Sequence, residues 1–451
     1  MKIVIIGLGT IGTTILKNLN REGHTITIID EDEKMVAQLI EKYDVFGVVG
    51  NGASMEIQIE ANAGAADLVI ALTRSDELNI LACLVAKKIG VKNTIARVRN
   101  PAYRKQINKM KDDLGISMVV NPERETADEI FNLVNLPSVA QIDHFAEGKV
   151  SLVEVVVEKG CALVGETLIS LGKKLTTKVL ICAVQRGDEV IIPGGHFQLR
   201  EGDRIHFTSN AKMLGDFLRE ANLVKSPFKN VMIVGGGRIG YYLSDSLAMK
   251  KYAIKLVEPD MARAEELADQ LPRVTVVCGN GTQHDLLIEE GIEAMDAFVA
   301  LTDNDEENMI VSMFANKKGV KKTITQITND DLYGMLDELS IENKVSSREI
   351  VANRIISYIR ALANTVGSNV LTLYRLVNDQ AEALEFAAKK QERIYNKPLK
   401  TLRMKHNCLV ACIIRQNEVI IPNGDSEIRL GDHVVVVTTH KNFDDLTDVF
   451  E

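Results

Sequence analysis

Gly7-Leu8-Gly9-Thr10-Ile11-Gly12 returns as Gly235-Gly236-Gly237-Arg238-Ile239-Gly240, an offset of 228 (235 − 7) in a chain of 451 residues. Each copy follows a short apolar run, residues 2–7 or 231–235. Each then opens a stretch of helical spacing, with Ile11, Ile15, Leu16 and Leu19 on one side in the first. The first glycine permits a tight turn off a strand, the second lets backbone approach a phosphate, and the third lets the helix pack close to the sheet. The N-terminus of that helix presents free N–H groups and a partial positive charge to an anion. An acid stands 23 positions after the first glycine in both copies, Asp30 (30 − 7) and Glu258 (258 − 235). A carboxylate ending the second strand accepts hydrogen bonds from the ribose hydroxyls of adenosine and disfavours a 2′-phosphate.

The repeat extends well beyond the loop. Val49-Gly50-Asn51-Gly52 answers to Cys278-Gly279-Asn280-Gly281, where the offset is 229 (280 − 51). Asp67-Leu68-Val69-Ile70-Ala71-Leu72-Thr73 answers to Asp296-Ala297-Phe298-Val299-Ala300-Leu301-Thr302, and Asp76-Glu77-Leu78-Asn79 to Asp305-Glu306-Glu307-Asn308. Near the end of each half, Val190-Ile191-Ile192-Pro193 matches Val419-Ile420-Ile421-Pro422, and Gly202-Asp203 matches Gly431-Asp432. Two collinear halves decide the architecture before any local reading is made.

Within the first half, strand-like runs at 25–30, 46–51, 68–73, 94–98 and 118–120 alternate with helical stretches, the clearest at 76–89. Such alternation means a parallel sheet with right-handed crossovers. After Asn121-Pro122, residues 123–136 read as one helix ended by Pro137. Short strands then take over at 151–157, 179–184, 190–192 and 204–207, and 210–222 reads as a closing helix. The second half repeats the order with strands at 231–235, 254–258, 275–278, 298–302 and 324–327 and a helix at 348–363, and Gly367 leads into the last strand-rich unit. The expected fold class is α/β: two tandem Rossmann-like, doubly wound parallel sheets, each followed by a small α+β unit. The expected Rossmann domains are 1–122 and 229–346, the small units 138–223 and 367–451, and the linker 225–229 with Pro227.

Composition narrows the functions. A net charge of −9 and a pI near 5.6 argue against binding to a nucleic-acid backbone, which needs basic patches. Cys408 and Cys412 fall in a strand-like run, where buried thiols are the commoner outcome than a metal clip, and no metal is expected. No apolar run reaches the roughly 18 residues of a membrane span, and the first strand leaves no room for a signal peptide. A cytosolic chain is expected, with a membrane-bound partner allowed.

Further candidates surround the loops. Asn51-Gly52 and Asn280-Gly281 end the third strands, where they can line the adenine side or simply make a turn. Thr73 and Thr302 end the fourth strands, close to the crevice where such sheets bind ligands. Ser75, and Asp303 or Asn304, read better as helix caps. The halves differ in where they carry positive charge. The first has Arg74 and Arg97 at the ends of strands four and five, where the second has Asp303 and Gln326. The second has Arg238 in its loop, where the first has Thr10. Arg97 serves either a phosphate or a structural carboxylate on this reading. Different ligands, or different affinities for one ligand, are expected of the two halves.

These residues point to a family. The glycine loop with its acid, Asn-Gly after strand three, Leu-Thr-x-x-Asp-Glu-x-Asn after strand four and Ala96-Arg97-Val98 in strand five resemble the N-terminal RCK (KTN) domain that regulates potassium conductance. The strand-rich unit ending in Ile-Ile-Pro and Gly-Asp resembles the RCK C-terminal domain. Two copies of the pair resemble the tandem RCK regulatory subunits of Trk-type potassium uptake, and the resemblance covers essentially the whole chain. It implies a cytoplasmic homo-oligomer, a dimer or tetramer ring, held on the inner face of the membrane through a potassium transporter subunit of the TrkH/TrkG kind. It also implies nucleotide sites: NAD(H) in the first half, and ATP/ADP, or NAD, in the second. The sites comprise Gly7, Leu8, Gly9, Thr10, Ile11, Gly12, Asp30, Asn51, Gly52, Thr73, Arg74 and Arg97 in the first half. In the second half they comprise Gly235, Gly236, Gly237, Arg238, Ile239, Gly240, Glu258, Asn280, Gly281 and Thr302.

The rival class is an NAD-dependent dehydrogenase with a duplicated Rossmann unit. It needs a proton-transfer residue beside the nicotinamide. No histidine has a histidine counterpart in the other half: His24 faces Ala253, His196 faces Asp425 and His206 faces Val435. A non-catalytic sensor is therefore the expected class. A redox-sensing DNA-binding repressor would need a helix-turn-helix or basic segment, which the chain does not display.

Overall fold

Six parallel strands make the first sheet: β1 (Lys2–Ile6), β2 (Thr25–Asp30), β3 (Phe46–Val49), β4 (Leu68–Ala71), β5 (Asn93–Arg97) and β6 (Met118–Val120), in the order β3-β2-β1-β4-β5-β6. The coordinates are a computed structural model. It describes residues 1–451 apart from 101–102, 104–105, 108–109, 111–112, 136–138, 146–149, 188, 211–212, 224–227, 330–331, 333–340, 342, 364–369, 377–379, 390–392, 417, 441–442 and 444. Strands β1 and β4 are buried on both faces, as a sheet covered by helices on either side requires. The covering helices are α1 (Thr10–Arg21), α2 (Glu33–Lys42), α3 (Met55–Glu60) and α4 (Asp76–Lys88). Chain order reverses between β1 and β4, and ligands of such sheets bind outside the carboxyl ends of the strands at that point. Helix α5 (Pro122–Asn135) leaves the sheet. The expected strand at 94–98 begins one residue earlier, and the ends assigned to α5, Leu136 and Pro137, lie outside the described residues.

An antiparallel sheet follows: β7 (Val139–Phe145), β8 (Val150–Val156), β9 (Leu180–Arg186), β10 (Glu189–Ile191) and β11 (Arg204–Asn210), in the order β10-β9-β11-β8-β7. Helices α6 (Leu168–Lys174) and α7 (Leu214–Glu220) accompany it. Strand β7 was not foreseen. The closing helix is shorter than the expected 210–222, because β11 pairs with β8 as far as Asn210 opposite Val150. The alternation of buried, core-facing Ile205 and Phe207 with His206 and Thr208 has the period of a strand, not of a helix.

The second half repeats the plan. Strands β12 (Asn230–Val234), β13 (Ala253–Glu258), β14 (Thr275–Cys278), β15 (Ala297–Ala300), β16 (Lys322–Gln326) and β17 (Asn343–Val345) run parallel in the order β14-β13-β12-β15-β16-β17. Their helices are α8 (Arg238–Met249), α9 (Met261–Gln270), α10 (His284–Glu289) and α11 (Asp305–Lys317), and α12 (Ser347–Ala363) leads away. Strands β18 (Val370–Leu376), β19 (Ala381–Ala387), β20 (Cys408–Arg415), β21 (Glu418–Ile420) and β22 (His433–Thr438) close the chain in the order β18-β19-β22-β20-β21. The expected linker residues Lys225 and Pro227, and Gly367, lie outside the described residues.

Like packs with like. Met1–Phe131 and Lys229–Ile356 form one compact unit that holds both parallel sheets. Asn132–Phe228 and Ser357–Glu451 form the other, which holds both antiparallel sheets. In this second unit, Val150, Leu152 and Cys182 share one buried cluster with Ala381, Ala411 and Cys412, and Thr208 Oγ1 donates to Ala411 O at 2.8 Å. The repeated Gly-Asp motif is structural: Asp203 takes Arg186 bidentately at 2.7 Å for both contacts, and Asp432 takes Arg415 at 2.8 Å for both.

Candidate functional site

Each glycine loop folds for a steric reason. Gly7 has φ +93° and Gly235 φ +112°, the left-handed region that glycine alone enters freely. A Cβ on Gly12 would lie 2.1 Å from Gly7 O, and one on Gly240 equally close to Gly235 O. These positions let α1 and α8 start directly against their strands. Gly9 and Gly237 are different, since a Cβ there would meet no atom within 4 Å. They cap their helices with extended backbone and no side-chain partner. The first-turn N–H groups therefore open onto free space at the strand ends, the geometry of an anion site.

The acids close on the loops. Leu8 N–H donates to Asp30 Oδ2 at 2.6 Å, and Asp32 N–H to Asp30 Oδ1 at 3.0 Å. In the second half, Gly236 N–H donates to Glu258 Oε2 at 2.8 Å and Asp260 N–H to Oε1 at 3.0 Å. The longer acid goes with a smaller loop residue: a Cβ on Gly236 would sit 2.7 Å from Glu258 Oε2 and 2.5 Å from Leu267 Cδ1. Arg263 Nε adds a bond to Gly236 O at 3.1 Å, at a position occupied by Met35 in the first half.

The remaining expected residues divide. Leu8 and Ile11 are buried in the core, so only their backbone faces the crevice; Thr10 is exposed. Ile239 is half-buried and Arg238 exposed on the first turn of α8. Asn51 Oδ1 accepts from Ala53 N–H at 2.9 Å, and Asn280 Oδ1 from Thr282 N–H at 2.9 Å, so both make the turn after strand three. Gly52 and Gly281 are fixed by close approach, with a Cβ falling 2.1 Å from Ile6 and 2.2 Å from Val234. Ser75 Oγ and Asn304 Oδ1 cap α4 and α11 as expected.

Thr73 and Thr302 are held by residues that the sequence showed in the repeat and in the RCK-like motif, without a role of their own. Asn79 Oδ1 accepts from both the N–H and the hydroxyl of Thr73 at 2.8 Å, and Asn79 Nδ2 donates to Thr73 O and Arg97 O. Asn308 does the same for Thr302 and Gln326. Asp76 Oδ2 accepts from the N–H groups of Arg99 and Asn100, and Asp305 from those of Thr328 and Asn329. Both buried pairs fix the ends of neighbouring strands at the crevice rim. The recurrence of Asp-x-x-Asn was the available signal.

Arg74 is exposed, whereas Arg97 is half-buried. Arg97 Nε and Gln326 Oε1, at equivalent positions, are both buried without a hydrogen-bond partner. Burial pushes the Arg97 guanidinium below its usual value, as does neighbouring Arg99, while Glu123 and Asp76 oppose the shift. Glu123 gathers the local cations: its Oε1 accepts from Arg99 Nε at 2.6 Å and lies 3.6 Å from Arg238 Nη1. Thus the loop cation of the second half reaches a carboxylate of the first. The same junction is crossed by Thr126 Oγ1 to Ser347 Oγ at 2.8 Å, Arg354 Nη1 to Glu125 Oε1 at 3.3 Å, and Arg124 over the Tyr242 ring at 5.6 Å.

Comparison with known proteins agrees with this geometry. The TrkA-N domain family matches residues 3–122 and 231–347, and the TrkA-C domain family matches 152–222 and 384–451. Trk system potassium uptake protein TrkA homolog 1 of Methanosarcina mazei is 33% identical over 444 residues, spanning 97% of each chain. TrkA of Haemophilus influenzae is 30% identical over 459 residues, spanning 100% of this chain and 99% of the relative. Among solved structures, the GsuK RCK domain superposes with a TM-score of 0.63 at 17% identity, covering 98% of this chain and 92% of that one. The GsuK channel bound to NAD gives 0.64 at 17% identity, covering 98% and 77%. At that identity the likeness establishes a shared fold.

Proposed function

This chain belongs to the TrkA family, with TrkA-N and TrkA-C domains alternating twice, and from that premise we propose that it is a nucleotide-binding regulatory subunit of a membrane potassium transporter. The observation that carries the nucleotide part is the duplicated loop and acid, with open space above Gly9 and Gly237. The orphaned polar atoms of Arg97 and Gln326 at the same rim support it. The residues fit an adenine nucleotide without a 2′-phosphate. Helix N-termini would hold the phosphates and Asp30 or Glu258 the ribose.

The first half is assigned NAD(H) and the second ATP or ADP, with NAD as the second half's alternative. Arg97 supports the first assignment and Arg238 the second, because a guanidinium on the first helical turn can take a terminal phosphate bidentately. Such a phosphate competes with Glu123 for Arg238. A ligand shifts a conformational equilibrium only by its different affinity for the two states. Ligands that compete for Arg238 and ligands that leave it on Glu123 therefore favour different packings of the two halves, and α5 and α12 carry that difference onward.

No described helix is long and apolar enough to cross a membrane. On this reading the chain acts on potassium flux by docking to a TrkH/TrkG-type membrane subunit on the cytoplasmic face. Closed homo-oligomers, a dimer or a tetramer ring, suit the paired halves. The test is potassium flux through the membrane subunit in liposomes with this chain added. Flux should change with NADH and with ATP. Flux indifferent to the chain and to every nucleotide would contradict the proposal, as would sustained NADH turnover abolished by one histidine or lysine substitution.

A further inference from the structure

The edge strand β3 carries a surface that its duplicate lacks. Ile40, Phe46, Val49, Met55 and Ile59 are all exposed, Phe46 to 72% and Ile59 to 60%. They lie on α2, β3 and α3, and the two helices flank the edge strand from either face: Ile40 of α2 covers Gly47 and Ile57 of α3 covers Gly50. Glu41, Asp44, Glu56 and Glu60 are exposed beside them, with Lys42 the one cation between residues 40 and 60. The second half has Ala268, Thr275, Cys278, His284 and Ile288 at the matching positions, so of the large apolar side chains only the last recurs.

The duplication serves as an internal control. Apolar exposure that the fold itself needs should recur in both halves, and on α4 and α11 it does, with Leu81 at 50% and Ile310 at 57%. At β3 it does not recur. An outermost apolar strand is an invitation to pair, and proteins normally blunt it unless it is used.

Charge decides the occupant. A second copy meeting this patch across a twofold axis would set the same carboxylates against one another. Segments that flank membrane spans on the cytosolic side are enriched in Lys and Arg. We propose that this surface receives a cytosolic segment of the membrane transporter subunit in which apolar anchors sit among lysines or arginines. The inference rests on reading the chain as a transporter's regulatory subunit. The apolar anchors bury against Phe46, Ile40 and Ile59, and the basic groups meet Glu41, Asp44 and Glu60.

The test measures binding of the full-length protein to the Trk-type membrane subunit of the same organism in nanodiscs. Phe46→Ser with Ile59→Ser should weaken binding by about tenfold or more, as central anchors do. Glu41→Gln with Asp44→Asn and Glu60→Gln should weaken it less and flatten its salt dependence. The control Ile288→Ser in the second half should leave affinity unchanged. All variants should keep wild-type oligomer mass and NADH affinity, which shows that they fold. Wild-type affinity in the two patch variants would overturn the inference while leaving the transporter reading intact. A change in oligomer mass would overturn it in favour of a second copy. Failure of the unaltered protein to bind would remove both readings together.

Discussion

Arg238 opens a helix in the second half, yet its Nη1 lies 3.6 Å from Oε1 of Glu123 in the first. The pair is half-exposed on the arginine side, so it contributes little stability by itself, roughly 0–1 kcal/mol. Its importance lies in position. A cation beside one glycine loop is already engaged by the other half, and on the proposed function a bound phosphate must share or break that contact.

Arg238→Ala should mainly weaken ATP binding, and Arg97→Ala should mainly weaken NADH binding. Calorimetry of both variants with both ligands checks the pair of expectations. Equal effects of each substitution on each ligand would show that the cations around Glu123 act as one group, and the assignment of ligands to halves would fail.

Asp30→Ala should weaken NADH binding by roughly 1–3 kcal/mol, the loss of charge-assisted hydrogen bonds to ribose. The substitution also frees the Leu8 N–H. NADPH should bind the unaltered first half poorly. Tight NADPH binding with NADH excluded is the outcome that this account does not survive.

Gly12→Ala places a Cβ 2.1 Å from Gly7 O, a backbone atom that cannot yield without moving the loop. A cost of about 1–3 kcal/mol is expected, with loss of nucleotide binding by the first half. Gly9→Ala, facing open space, should leave the thermal transition nearly unchanged and reduce binding only. Parallel melting and binding curves for the two variants separate packing from ligand approach.

Asn79→Ala should destabilise the first parallel sheet on the order of 2–4 kcal/mol, because Thr73 N–H, Thr73 O and Arg97 O lose buried partners together. The equivalent Asn308→Ala should do the same in the second half. Urea unfolding followed by probes in each half checks this. A shift below about 1 kcal/mol would mean that water replaces the amide freely.

The parts of this molecule written in the sequence are those fixed by local sterics and by repetition. Gly7 and Gly235 need a positive φ, Gly12 and Gly240 have no room for a Cβ, and the acids keep their spacing. The TrkA-N and TrkA-C matches follow the order read from the repeat. Elements set by pairing partners were harder to read. Strand β7 depends on its ladder with β8, and the late start of α7 on the ladder of β11 with β8, neither of which propensity reveals. Asn51 and Asn280 were legible only as turn or ligand residues, and the turn bonds now stand in the structure. The junction of Glu123 with Arg238 spans 115 positions (238 − 123) and arises from how two folded sheets meet, so no local pattern announced it.

The most direct measurement of the central claim is calorimetric titration of NADH, NAD, ATP, ADP and NADPH onto the purified full-length protein. The account predicts saturable heats for NADH and for ATP or ADP, with the first lost in Asp30→Ala and the second reduced in Arg238→Ala, and little heat from NADPH. No saturable heat with any adenine nucleotide, or binding unaffected by both substitutions, would contradict it.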